Sequence, residues 1–198
     1  MNGVEQIISP LSAIWKWTAH LPIHNAATAR SWRLTRALLE GRWSYLRTRV
    51  CDQYRISRKD IGALYDGKQV PYSDGAFHSD GTGFKVAQPN APVLAAAPRG
   101  ATSLIISAPE FSGAMTAGVF FSVNDRLYVV TGWEQDGDEY ELTFKPPLRA
   151  AVEEGDTADF DAKAIWRLES DDEGRADLRL GRFASVQINL VEPLGWTG

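Results

Sequence analysis

The side chains best suited to metal or acid–base chemistry are three histidines and one cysteine. His20 and His24 have the spacing of two metal ligands on one helical face, but Pro22 lies between them and argues against a helix. His78 lies in a glycine-rich stretch and is predicted to be an exposed polar residue. Because Cys51 is the only cysteine, neither an intrachain disulfide nor a metal site of several thiolates can form. We therefore predict no metal and no cofactor.

Carboxylates form two short runs, at residues 136–139 and 171–173. Neither run has the ligand spacing of a calcium loop, and each lies where a hairpin turn is expected. The chain also lacks a glycine-rich phosphate loop and a Gly-x-Ser-x-Gly nucleophile elbow. The acidic runs are therefore predicted to be solvated turns, and the protein is predicted not to be an enzyme.

The net charge of -4 is unevenly distributed along the chain. Eleven basic and five acidic residues precede or include Lys68, whereas ten basic and twenty acidic residues follow it. The basic residues that lie near aromatic side chains in this first part are Arg30, Arg33, Arg36, Arg42, Arg47, Arg49, Arg55, Arg58 and Lys59. This mixture is typical of single-stranded nucleic-acid binders and also of protein interfaces. Without a nucleic-acid-binding module, it favours a protein interface and no nucleic acid; a solvated helix face is the simpler alternative.

One long helix is predicted in the N-terminal half of the chain, over residues 26–40. Asn25 is a suitable cap for its start, and Gly41 stands where it would end. The residues predicted to form its apolar stripe are Trp32, Leu34, Leu38 and Leu39. The arginines predicted to point elsewhere are Arg30, Arg33 and Arg36.

Most of the remaining chain has the alternating pattern of β-strands. Strands are predicted over residues 12–21, 43–54, 102–108, 119–123, 126–133, 139–145, 164–168 and 177–190. Turns between them are predicted at Asn124-Asp125 and at residues 135–137. Trp15 and Trp17 of the first strand are predicted to belong to the core. Residues 66–98 match neither periodicity and are predicted to form a long loop or arm. The expected fold is mainly β (α+β), an antiparallel β-sandwich or barrel-like core with one long helix and a long loop.

A single domain is predicted over residues 12–193, with an N-terminal arm at 1–11 and a C-terminal tail at 194–198. The N-terminus lacks the basic and then apolar pattern of a signal peptide. No uncharged apolar stretch approaches the roughly 20 residues of a membrane-spanning helix. The sequence therefore predicts a soluble protein with no membrane partner.

The most specific pattern is a pair of segments within residues 119–149. The segment FFSVNDRLYVVT begins at Phe120, and the segment YELTFKPPLR ends at Arg149. Together with a later Ile165-Trp166-Arg167-Leu168 strand, this order resembles a family of minor tail and baseplate proteins of siphophage-like tailed phages. The opening strand, the helix and the aromatic, arginine-rich strand after it are similar too, so the resemblance covers residues 13–192.

Within that family, the resemblance points to the distal tail protein type. It implies a β-sandwich protein that assembles with itself as a ring, expected to be a hexamer, between the tail tube protein and the hub or baseplate proteins. It implies a location in the tail tip of the virion, after synthesis in the host bacterial cytoplasm. The candidate interface residues are Arg30, Arg33, Arg36, Trp43, Arg126 and Arg149.

The alternative prediction is a carbohydrate- or receptor-binding module of a tail. β-Sandwich proteins with exposed tryptophans often bind glycans. The candidate residues for this role are Trp133, Trp166 and Trp196.

Overall fold

The computed structural model describes residues 14–57, 60–61, 74, 76, 79, 89–111, 113–174 and 184–196. The chain divides into two compact units. Unit 1 comprises Met1–Leu46 and Trp166–Gly195, and unit 2 comprises Arg47–Ile165 and Trp196–Gly198. The described part is mostly β, with two antiparallel sheets and a single α-helix. This confirms the predicted mainly β, α+β class with β-sandwich or barrel-like character.

The helix, α1, spans Ala26–Leu39. The strands are β1 (Lys16–Ile23), β2 (Leu46–Arg49), β3 (Asn90–Pro92), β4 (Ser103–Ser107), β5 (Phe120–Val123), β6 (Arg126–Asp136), β7 (Glu139–Lys145), β8 (Thr157–Asp159), β9 (Lys163–Leu168) and β10 (Ala184–Val191). One sheet has the order β1-β10-β9-β2, and the other has the order β3-β8-β5-β6-β7-β4.

In unit 1, β1 pairs with β10 along its whole length, from Lys16 opposite Val191 to Ile23 opposite Ala184. Within the described residues, β10 is the only strand that pairs with β1, so β1 is an edge strand. Pro22 is tolerated inside it because a proline on an edge removes no ladder hydrogen bond.

Trp17 of β1 lies on the same face as the buried Ala19, but its side chain is 42% exposed. Its ring centroid is 5.8 Å from that of Trp166, which is buried. The prediction that this tryptophan belongs to the core is therefore wrong: it covers the end of the packed face instead.

Unit 2 is organised by the hairpins of the six-stranded sheet. Asn124 and Asp125 join β5 to β6 with φ angles of 49° and 58°, the left-handed pair that a two-residue hairpin needs. Gly137 lies in the turn between β6 and β7 and has a φ angle of 60°. The predicted turns at these positions are confirmed. Pro146 follows the last residue of β7, as expected for a residue without a backbone N–H.

The core of unit 2 is a cluster of aromatic rings on the inner face of this sheet. Phe121 is fully buried, and its ring centroid lies 5.5 Å from Tyr128, 5.4 Å from Phe144 and 5.7 Å from Phe160. These distances are typical of favourable aromatic pairs. The two segments within residues 119–149 that were the most specific pattern of the sequence thus build the centre of this unit.

The main differences from the predicted elements concern short strands. β3 lies within residues 66–98, which were predicted to be a loop, and β8 was not predicted. After Gly41 only Leu46–Arg49 is a strand, not residues 43–54. The predicted arm at 1–11, most of 66–88 and residues 175–183 lie outside the described residues.

Candidate interaction surface on helix α1

The start of α1 is held by a reciprocal cap. The Asn25 side chain accepts a hydrogen bond from Thr28 N at 2.9 Å, and the Thr28 hydroxyl accepts one from Asn25 N at 3.2 Å. Such a capping box satisfies two backbone donors that the helix leaves free. The predicted cap is confirmed.

The end of α1 is a left-handed turn tied to a distant loop of unit 1. Glu40 and Gly41 have φ angles of 49° and 68°, and Arg42 N then donates to Asp171 Oδ1 at 2.9 Å. A Cβ atom on Gly41 would lie 2.8 Å from that same oxygen. The glycine at this position therefore provides both the left-handed conformation and the space for Asp171.

The buried side of α1 is formed by Trp32 and Leu39. Trp32 Nε1 donates to Gly174 O at 3.0 Å, which satisfies the only polar atom of this buried side chain. Residues seven apart return to nearly the same side of a helix, so these two side chains share one face.

Leu34 and Leu38 lie on the other side, with exposed fractions of 61% and 66%. The prediction that they belong to the buried stripe is wrong. At about 100° per residue, Leu34 is rotated by about 160° from Trp32, and Leu38 follows Leu34 by one turn. The stripe predicted from the sequence combines two opposite faces of the helix.

The exposed leucines are flanked by unpaired arginines. We call Arg30, Arg33, Leu34 and Leu38 the α1 outer face. Within the part of the chain that the structure describes, Arg30, Arg33 and Arg36 have no carboxylate within ion-pair distance. Arg42 and Arg47 differ, because Arg42 contacts Asp171 at 3.5 Å in unit 1 and Arg47 contacts Asp125 at 2.8 Å in unit 2. Three guanidinium groups without an ion-pair partner among the described residues thus lie on one helix.

A cleft of about 440 Å³ opens beside the C-terminal half of α1. The residues that line it are Arg33, Arg36, Ala37, Glu40, Gly41, Leu168 and Asp171. Two of the candidate interface arginines are therefore brought together here, and the carboxylates of the same cleft partly offset their charge. Trp43 lies just beyond the helix and is the second most exposed large apolar residue described, at 81%.

The remaining two candidate arginines belong to unit 2. Arg126 is buried; its guanidinium donates to the Trp196 carbonyl and lies 5.1 Å from the centroid of the Trp196 ring. Arg149 is half-buried, and its backbone N–H donates to the Tyr128 hydroxyl at 3.3 Å. Arg126 therefore supports the fold of its own unit, and its role at an interface stays a prediction.

A second charged surface of the protein lies on the hairpin of β6 and β7. Glu134 stands directly opposite Glu141, and Asp136 stands directly opposite Glu139. All four side chains are exposed, and we call them the hairpin acidic face. Opposed like charges destabilise a sheet, so these two pairs favour a cationic partner. The predicted solvated turn thus extends onto both strands.

The surroundings of the hairpin acidic face are partly apolar. Ile105 on β4 pairs with Glu141 on β7 and lies on the same face, with 37% of its side chain exposed. On the inner face, the pKa of the Tyr140 phenol is raised above its ordinary value. Burial is the main cause, and the negative charge of Asp138 is the second.

Among the described residues, those suited to metal chemistry are not brought together. His20 is exposed on β1 and His24 is exposed between β1 and α1, so they share no helical face. His78 lies outside the described residues.

The one α-helix of the described residues is too short and too polar to cross a membrane.

No protein-family model and no curated protein matches this chain. The two features of the candidate surface that sequence reasoning missed are the exposure of Leu34 and Leu38 and the opposed carboxylates of the hairpin. Helical rotation measured from Trp32 would have revealed the first. The second required the register of β6 and β7, which an irregularity between Val130 and Gly132 shifts by one residue.

Proposed function

We propose that this protein is a non-enzymatic structural subunit of a phage tail tip or baseplate. The specific role is that of a distal tail protein that forms a ring with its own copies and joins the tail tube to the hub. The observation that carries this proposal is the α1 outer face, where two leucines are exposed between arginines that have no acceptor among the described residues. Apolar side chains combined with arginine are typical of protein interfaces.

The resemblance of residues 119–149 to tail proteins gives this interface a biological context. Those residues build β5, β6 and β7 around Phe121 and Tyr128, so the resemblance concerns the core of unit 2 and not an isolated loop. The mainly β fold with a single helix also agrees with what the resemblance implies. Virion location and contact with tube and hub proteins are part of the same proposal.

The proposal predicts self-association that depends on the α1 outer face. Because Leu34 and Leu38 would be buried between copies, Leu34→Asp with Leu38→Asp should raise the dissociation constant by at least about 100-fold. Sedimentation velocity over a wide range of concentrations measures this change. Leu194→Asp is the matched control, because Leu194 is 50% exposed in the same unit and lies outside α1. A natural chain that stays monomeric at every concentration contradicts the proposal.

The location in the virion has its own test. Electron cryo-microscopy of the tail tip of the phage that encodes this chain is expected to show a ring of copies at the end of the tail tube. Density at the tail tip that excludes this chain would contradict the assignment, whatever the chain does in solution.

A second candidate function is glycan binding through Trp133. An irregularity in β6 places Trp133 opposite Leu142, on the inner face of the sheet, and yet 39% of its side chain is exposed. Its ring lies 5.9 Å from that of Tyr140. Trp166 is buried, so the prediction that its ring is available to a sugar is wrong. Trp196 is partly exposed but lies against Arg126.

This candidate predicts that Trp133→Ala weakens binding on a glycan array and leaves the circular dichroism spectrum unchanged. An aromatic platform contributes about 1 kcal/mol or more to such contacts, so affinity should fall by at least about fivefold. Trp43→Ala, which removes a more exposed ring elsewhere, should leave binding unchanged. Equal binding by the natural chain and the Trp133 variant, or no binding by either, contradicts glycan recognition at this residue.

A further inference from the structure

We propose that the α1 outer face docks on the hairpin acidic face of a second copy of this chain. The proposal deepens the ring function proposed above and rests on it. It names the two surfaces that meet and the occupant of the helix face.

Charge complementarity is the first argument. Arg30 and Arg33 have no acceptor among the described residues, whereas the hairpin acidic face holds two pairs of opposed carboxylates and no described residue with an ammonium or guanidinium group contacts them. When the two surfaces meet, the repulsion among the four carboxylates and the repulsion between the two arginines both decrease. The carboxylates then accept charge-assisted hydrogen bonds from the guanidinium groups. A chain with a net charge of -4 needs such local pairing in order to associate with itself.

The spacing of the two surfaces is also compatible. Side chains three residues apart on a helix stand about 5–6 Å from one another at Cβ. The two rows of carboxylates, Glu134 with Glu141 and Asp136 with Glu139, lie two residues apart along the strands, which is about 7 Å. Arg30 and Arg33 can therefore each reach one row.

The apolar residues complete the match. Leu34 and Leu38 lie beside the arginines on the α1 outer face, and Ile105 lies beside Glu141 on the sheet. Contact between these side chains would remove three exposed aliphatic groups from water, at about 25 cal/mol per Å² of apolar area. A nucleic-acid backbone offers no comparable apolar surface, so the leucine pair favours a protein partner.

The two surfaces belong to different elements of the chain, so copies can meet head to tail. When such a heterologous contact repeats with the same rotation, it closes a ring or extends a filament. The proposed contact is thus of a type from which a tail ring can be built.

The test uses two full-length variants with opposite charge changes. The first variant carries Arg30→Glu and Arg33→Glu, and the second carries Glu134→Arg and Glu141→Arg. In a solution of either variant alone, groups of like charge face one another across the contact. Each variant should therefore self-associate at least tenfold more weakly than the natural chain, as measured by sedimentation velocity. In an equal mixture, the acidic helix of the first variant can pair with the basic hairpin of the second. The unchanged helix of the second variant can pair with the unchanged hairpin of the first, as in the natural chain. The mixture should recover assemblies of natural size.

A charge-matched control separates this contact from a general effect of net charge. Glu153→Arg with Glu154→Arg changes the net charge by the same amount as the hairpin variant, at exposed positions outside both surfaces, and should assemble like the natural chain. Circular dichroism of every variant checks that the substitutions leave the fold intact.

The outcomes distinguish this contact from the wider function. If the single variants assemble like the natural chain, or if the mixture fails to recover assembly, the contact is overturned, and any ring that the natural chain forms uses another surface. If the natural chain itself never self-associates, both proposals are overturned. If the mixture recovers assembly but the tail tip contains no copy of the chain, the contact stands and the role in the virion fails.

Discussion

Replacing Gly174 with alanine is expected to destabilise unit 1 by about 3–5 kcal/mol. Gly174 has φ of 71°, and a Cβ atom there would lie 2.2 Å from Cζ2 of Trp32 and 3.0 Å from Cγ2 of Ile188. Trp32 is buried on α1 and its Nε1 is bonded to the Gly174 carbonyl, so the ring cannot move aside without losing that bond. The substitution should separate α1 from the loop that follows β9.

Two other glycines of the same unit provide graded controls. Gly41→Ala places a Cβ atom 2.8 Å from Asp171 Oδ1 and 3.3 Å from Asp171 Cγ, and this flexible carboxylate can turn away only by losing its hydrogen bond from Arg42 N. Backbone strain of about 1–2 kcal/mol and about 1 kcal/mol for that hydrogen bond give an expected cost of about 2–3 kcal/mol. Gly195→Ala meets nothing within 4 Å and should be nearly neutral. Amide hydrogen exchange of peptides from α1 and β10 reports on this unit specifically. Equal protection in the Gly174 and Gly195 variants would contradict the predicted packing of Trp32.

Phe121→Ala is expected to destabilise unit 2 by about 3–5 kcal/mol. Phe121 is fully buried and touches three other aromatic rings, so its removal leaves a cavity that those rigid side chains cannot fill. Phe121→Leu keeps most of the buried volume and should cost about 1–2 kcal/mol. Urea unfolding followed by circular dichroism and by hydrogen exchange in β5 and β6 measures both changes. A similar loss for alanine and leucine would show that the ring contacts are not what stabilises this core.

Local signals allowed several elements to be predicted from the sequence. Asn25 and Gly41 marked the ends of α1, and Asn124 and Asp125 marked the hairpin between β5 and β6. Caps and tight turns depend on the side chains and backbone angles of a few neighbouring residues, so a short stretch of sequence contains the necessary information. The same is true of the long alternating strand β7.

Features that depend on distant partners could not be predicted in this way. β3 and β8 are three residues long and pair with each other, with Asn90 opposite Asp159, so neither has a pattern of its own. The burial of Arg126 depends on Trp196, and the exposure of Trp17 depends on how far the packed face of β1 extends. On the candidate surface, the three helix arginines were identified from the sequence, but the opposed carboxylates depend on the shifted register of β6.

The position of Pro22 in β1 has a consequence for the behaviour of the free subunit. Trp15 O accepts a hydrogen bond from Glu192 N, so odd-numbered residues of β1 direct their peptide groups toward β10 and even-numbered residues direct theirs toward the open edge. Pro22 removes one donor from that edge. This opposes amyloid-like stacking of strand upon strand. The free edge of β1 is therefore a poor template for the addition of a strand from another molecule.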